Sequence, residues 1–74
     1  MTSPTNKLFL GSEIRRLRIK HAMTQAELAN AIGCKSITIT FWETGRLAPK
    51  LPNIKKLAQL FGVPVTEFTR FIGD

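Results

Sequence analysis

Apolar side chains recur every three to four residues along this chain, in short runs separated by glycine, proline and polar turns. Leu10, Ile14, Leu17 and His21 fall on one helical face, with Arg15, Arg16 and Lys20 on the others, which predicts a first helix from Leu8 or Gly11 to His21. A second begins at Thr24. Thr24-Gln25-Ala26-Glu27 fits a capping box, in which the threonine hydroxyl accepts from a backbone N–H three residues on and the glutamate reaches back. Ala26, Leu28, Ala29, Ala31 and Ile32 continue this helix, and Gly33 suits the left-handed position past its end. A fourth helix runs from Leu51 or Pro52 to Phe61 with Leu51, Ile54, Leu57, Ala58 and Phe61 inward, and Gly62 stops it. A short fifth spans Val65 to Ile72, with Val65, Phe68 and Ile72 inward.

The third segment, Lys35 to Thr44, carries conflicting signals. Ser36-Ile37-Thr38-Ile39-Thr40-Phe41 alternates polar and apolar residues and is rich in β-branched side chains, which by itself reads as a strand. Nothing else in the chain offers a partner strand, and an isolated strand is not stable. Ile39 and Trp42 sit at i, i+3 spacing and Gly45 supplies a stop, so the expectation is a helix in which packing overrides propensity. The fold class is therefore all-α: one compact five-helix domain over residues 8–74, preceded by a polar arm over residues 1–7 that is expected to be disordered.

Composition narrows the chemistry. At 74 residues and 43% hydrophobic there is material for one core. A lone cysteine, Cys34, excludes an internal disulfide, and with a single histidine no Cys/His zinc site can be assembled, so no metal or cofactor is expected. No apolar run is long enough to cross a bilayer and the N-terminus lacks a secretory stretch, which points to a reducing, cytoplasmic setting. No nucleophile–base arrangement, glycine-rich phosphate loop or carboxylate pair suggests an enzyme. The charge of +6 is more telling: ten of the eleven Lys and Arg lie between Lys7 and Lys56, opposed there only by Glu13, Glu27 and Glu43. A polyanion is the natural partner for such a stretch, although a basic surface alone does not separate nucleic acid from an acidic protein or from no partner.

The motifs do separate them. Ile14-Arg15-Arg16-Leu17-Arg18, Met23-Thr24-Gln25-Ala26-Glu27-Leu28-Ala29, Ile32-Gly33, Ile39, Trp42-Glu43-Thr44-Gly45-Arg46, Pro49 and Leu57-Ala58-Gln59-Leu60-Phe61-Gly62-Val63 together resemble the phage-repressor and Cro-type helix-turn-helix domains, the xenobiotic-response-element family. The resemblance covers roughly Leu10 to Phe68. It implies a lambda-repressor-like fold that binds double-stranded DNA, with the helix after Gly33 in the major groove. Carried onto this sequence, it implies base contacts from Lys35, Ser36, Ile37, Thr40 and Phe41. Phosphate contacts would come from Thr24, Gln25, Thr38, Thr44, Arg46 and Lys50, and Arg18 and Glu43 would form a structural ion pair. Lys35 departs from the family's usual Ser or Thr, so Ser36 is an alternative cap. Ile37 and Phe41 lie one turn apart on the face that should be exposed, either as extra core or dimer contact or as apolar contacts to thymine methyls. Trp42 is expected in the core, and His21 at a helix end can meet the last carbonyls.

Such domains read two half-sites as two-fold dimers, so a homodimer, formed in the free protein or only on DNA, is expected, with Phe71 and Ile72 contributing. The expected function is a transcriptional regulator, most often a repressor, of a phage or mobile element or a restriction-modification system. An antitoxin-like protein that binds a partner protein as well as its own operator is the alternative, and an interaction module without DNA binding a third.

Overall fold

The computed structural model describes residues 7–72, so residues 1–6 of the expected arm lie outside it. Five helices order the described chain: α1 Lys7–Lys20, α2 Gln25–Ile32, α3 Ser36–Glu43, α4 Leu51–Phe61 and α5 Thr66–Thr69. α3 packs against both α1 and α2, α4 closes over α2, and α5 bridges α4 and α1. One core fills the space between them: Leu10, Ile14 and Leu17 from α1, Leu28, Ala29 and Ile32 from α2, Ile39 and Trp42 from α3, Ile54, Leu57, Ala58 and Phe61 from α4, and Phe68 from α5.

Two local devices fix the ends of α2. Thr24 is an extended N-cap whose hydroxyl accepts from the Glu27 N–H at 3.0 Å, while the Thr24 N–H donates to Glu27 Oε1 at 2.8 Å. Gly33 closes α2 at φ 90°, ψ 36°, a left-handed conformation that a side chain disfavours, and its N–H donates to the Ala29 carbonyl. The approach of α1 to α3 depends on Gly11: a β-carbon there would overlap the Trp42 carbonyl. α3 is helical despite its strand-like sequence because Ile39 and Trp42, one turn apart, are both sealed in the core.

His21, just past α1, is exposed and meets a last-turn carbonyl as expected, with Nδ1 2.9 Å from the Leu17 oxygen and its ring 5.0 Å from that of Phe61. Two expectations are corrected. Leu51 is 51% exposed, because it opens α4 where no other helix covers it. α5 is a single turn, after which Phe71 and Ile72 donate to the carbonyls three residues back, and Ile72 stays on the surface.

Candidate nucleic-acid interface

α3 begins without a side-chain cap. Lys35 is the extended N-cap residue (φ −91°, ψ 151°) and its side chain accepts nothing, while Ser36 is the first helical residue and therefore does not cap. The first backbone N–H groups of α3 thus meet no side-chain acceptor, and a cation sits at the positive end of the helix dipole, where an anion would relieve the conflict. Ile37, in the first turn, is 53% exposed on the side opposite Ile39. One turn on, Phe41 is half-buried, with the Arg46 guanidinium 5.5 Å from its ring centroid. The N–H groups of Arg46 and Leu47 both donate to the Phe41 carbonyl, which folds the following loop back on α3. Arg46 and Lys50 are exposed, and Lys50 stands at the uncapped start of α4.

Beneath this surface lies a polar network joining α1, α2 and α3. Arg18 grips Glu43 with two donors, Nε to Oε2 at 2.6 Å and Nη2 to Oε1 at 3.0 Å, and its Nη1 donates to the Met23 carbonyl at 2.9 Å. The pair is nearly dry, with side-chain exposures of 12% and 3%, and the hydrogen bonds to Glu43 raise the Arg18 pKa. Gln25, the first residue of α2, donates from Nε2 to Glu43 Oε1 at 3.1 Å, and the Thr40 hydroxyl donates to Gln25 Oε1 at 2.9 Å. The junction of α2 and α3 is therefore stitched by side chains as well as by packing. The Thr24 hydroxyl accepts in the capping box and keeps its own proton for another acceptor. Thr44 donates its proton to the Thr40 carbonyl at 2.8 Å, so a phosphate contact from that hydroxyl requires the bond to break. Thr38 is half-buried.

Lys35, Ser36 and Ile37 thus share the open start of α3, Arg46 joins them through Phe41, and Gln25 and Thr40 meet each other. No local pattern announced that last pairing, because the two residues lie fifteen positions apart on different helices. Cys34 is half-buried in the turn, and burial pushes its thiol pKa up, away from the reactive thiolate. Among the described residues no group of His, Cys, Asp and Glu is placed to hold a metal ion, and no helix is long and apolar enough to cross a membrane.

Known proteins resemble this chain in sequence and fold. The family model HTH_3, helix-turn-helix, matches residues 14–68. The CTXphi cryptic-phage transcriptional repressor RstR of Vibrio cholerae is 43% identical over 56 residues, 76% of this chain and 50% of the repressor, so the match spans half the length of that relative. An uncharacterized HTH-type transcriptional regulator of Archaeoglobus fulgidus is 37% identical over 60 residues, 81% of this chain and 86% of that one. Among solved structures, the restriction-modification controller protein C.AhdI of Aeromonas hydrophila superposes with a TM-score of 0.79 at 27% identity, covering 85% of this chain and 96% of the controller. Bacillus thuringiensis PlcR, solved with the peptide PapR7 and DNA, gives a TM-score of 0.76 at 27% identity over 84% of this chain and 22% of PlcR.

Proposed function

This chain belongs to the HTH_3 helix-turn-helix family, DNA-binding domains of transcription regulators, and from that premise we propose that it lays α3 in the major groove of a specific operator and represses transcription there. The observation that carries this reading is the two-sidedness of α3: Ile39 and Trp42 are sealed in the core, while Ile37 faces outward beside the exposed cations Lys35, Arg46 and Lys50. An apolar side chain at that place suits a thymine methyl, and Lys35 and Ser36 suit base-edge acceptors. Phe41 touches a base with the edge that Arg46 leaves uncovered. Thr24 and Gln25 at the start of α2, Thr38 on α3, and Arg46 and Lys50 in the loop hold the two backbones. Selection of bound duplexes from a random pool at stated salt tests this: a single motif is expected, and a pool without sequence preference overturns it.

The operator is read by two copies. One chain carries one α3, and a shallow, mostly apolar groove lined by Ala48, Pro49, Lys50, Leu51, Ile54, Thr69 and Ile72 leaves Leu51 and Ile72 exposed. A second copy on this groove covers that surface and presents a second α3 to the next half-site, one helical turn away. Phe71 contributes less than Ile72, since it packs on the core and carries the Arg70 guanidinium 4.7 Å from its ring centroid. A single half-site in the selected motif, together with monomeric sedimentation of the DNA complex, would instead favour the antitoxin-like reading, with a protein partner in the same groove.

A further inference from the structure

The hydrogen bonds between α2 and α3 run in one direction. Both Glu43 oxygens accept from the Arg18 guanidinium, so the end of the Gln25 amide 3.1 Å from Oε1 must be its donor, Nε2. That turns the amide oxygen to Thr40, whose hydroxyl supplies its one proton across 2.9 Å; the other acceptor within reach, the Ser36 carbonyl, is at 3.4 Å. With one Nε2 proton on Glu43 and its oxygen turned to Thr40, Gln25 has a single donor left, the second Nε2 proton. A phosphate oxygen accepts from such a group and is repelled by the carbonyl that a flipped amide would offer. Thr40, its proton spent, has no donor left for a base acceptor. We propose that Thr40 is a positioning residue that holds the Gln25 amide donor-outward for the DNA backbone, rather than a reader of a base.

The inference rests on the docking proposed above and refines one assignment within it. Thr40→Val keeps the shape and methyl and removes the hydroxyl; Thr40→Ser does the reverse. Binding is measured on the selected operator and on unrelated duplexes over a range of salt, and the selection is repeated with each variant. Thr40→Val should bind every duplex about fivefold more weakly, the loss of one neutral hydrogen bond. The motif and the salt slope should stay the same, because a neutral contact releases no counterions. Thr40→Ser should recover most of that affinity, and Gln25→Ala should cost little more once Thr40 is Val. The proposal is overturned if Thr40→Val changes the base preferred at one position or binds like the parent protein. It is equally overturned if Thr40→Ser is as weak as Thr40→Val, or if Gln25→Ala costs the same in both backgrounds. A parent protein that selects no motif removes the docking reading itself, an outcome distinct from all of these. Should Thr40→Val not fold, the proton spectrum of the parent protein decides: a Thr40 hydroxyl proton protected from solvent supports the proposal, and one exchanging as in a free peptide overturns it.

Discussion

Glu43 is a carboxylate held almost out of water, and its three donors come from two other helices. Removing Arg18 alone leaves that charge buried with only the Gln25 amide beside it. Arg18→Met should cost about 3–5 kcal/mol of stability, enough to unfold much of a domain this small. Arg18→Met with Glu43→Leu should recover most of the loss, since no buried charge remains; urea titrations of the three variants check this, and a double variant as unstable as Arg18→Met contradicts it. A second cluster ties α1 to α5. Arg16 holds the largely buried Glu13 through two hydrogen bonds of 2.9 and 2.7 Å and keeps its carboxyl down at about 2. A folded pKa below the unfolded one means that Glu13 stabilises the fold above the ordinary carboxylate range, and that this is lost as pH falls towards 2. Glu67 is shifted the other way, raised above all by its hydrogen bond with Glu13. Its contribution therefore falls as pH rises through its raised value. Glu67→Gln donates at every pH and gives up only solvent-facing contacts to Arg16 and Arg70, at 3.9 and 3.4 Å. It should flatten the loss of stability as pH rises through the raised Glu67 value, read as urea midpoints across pH; an unchanged pH dependence refutes the shared hydrogen bond.

At the scale of elements, legibility followed locality. The faces of α1, α2 and α4 could be read because helical period and burial coincide within one segment, and the capping box of α2 lies within four residues. α3 could not be read that way: Ile37 and Ile39 are two residues apart like neighbours on a strand, yet one is exposed and the other sealed only because α1 and α2 choose the side. Gly11 gave no sign of its role, since in sequence it is merely a glycine inside a helical run, a position that usually costs stability. In space it lets α1 touch the carbonyl of Trp42. Gly11→Ala improves helix propensity yet should destabilise the domain by about 1–3 kcal/mol through overpacking, read as a lower thermal midpoint. A higher midpoint would mean that α1 and α3 can separate freely.

For the molecule as a whole, the proposed docking makes the cationic rim the source of the salt dependence of DNA binding. Lys35, Arg46 and Lys50 are exposed, and each phosphate neutralised releases a counterion, with about 0.9 in the slope of log K against log salt per contact. Arg46→Ala and Lys50→Ala should each weaken binding to every duplex and lower that slope by about 0.9, measured by titration across salt concentrations. Slopes that do not move would place both cations off the backbone. Arg46 is expected to have the more rigid contact, being held over Phe41.

By itself the sequence determined what depends on near neighbours: helices α1, α2 and α4, the apolar stripes that become the core, the capped start of α2, the turn at Gly33 and the surplus of cations. Tertiary packing alone decided what depends on residues far apart in the chain. It made α3 a helix against its own propensity, exposed Leu51 and His21, set Glu67 beside Glu13, and joined Thr40 to Gln25 and Gln25 to Glu43. The reason is that side-chain period is a property of one segment, whereas the direction of a hydrogen bond or the closeness of two backbones belongs to a pair of segments and exists only once they meet.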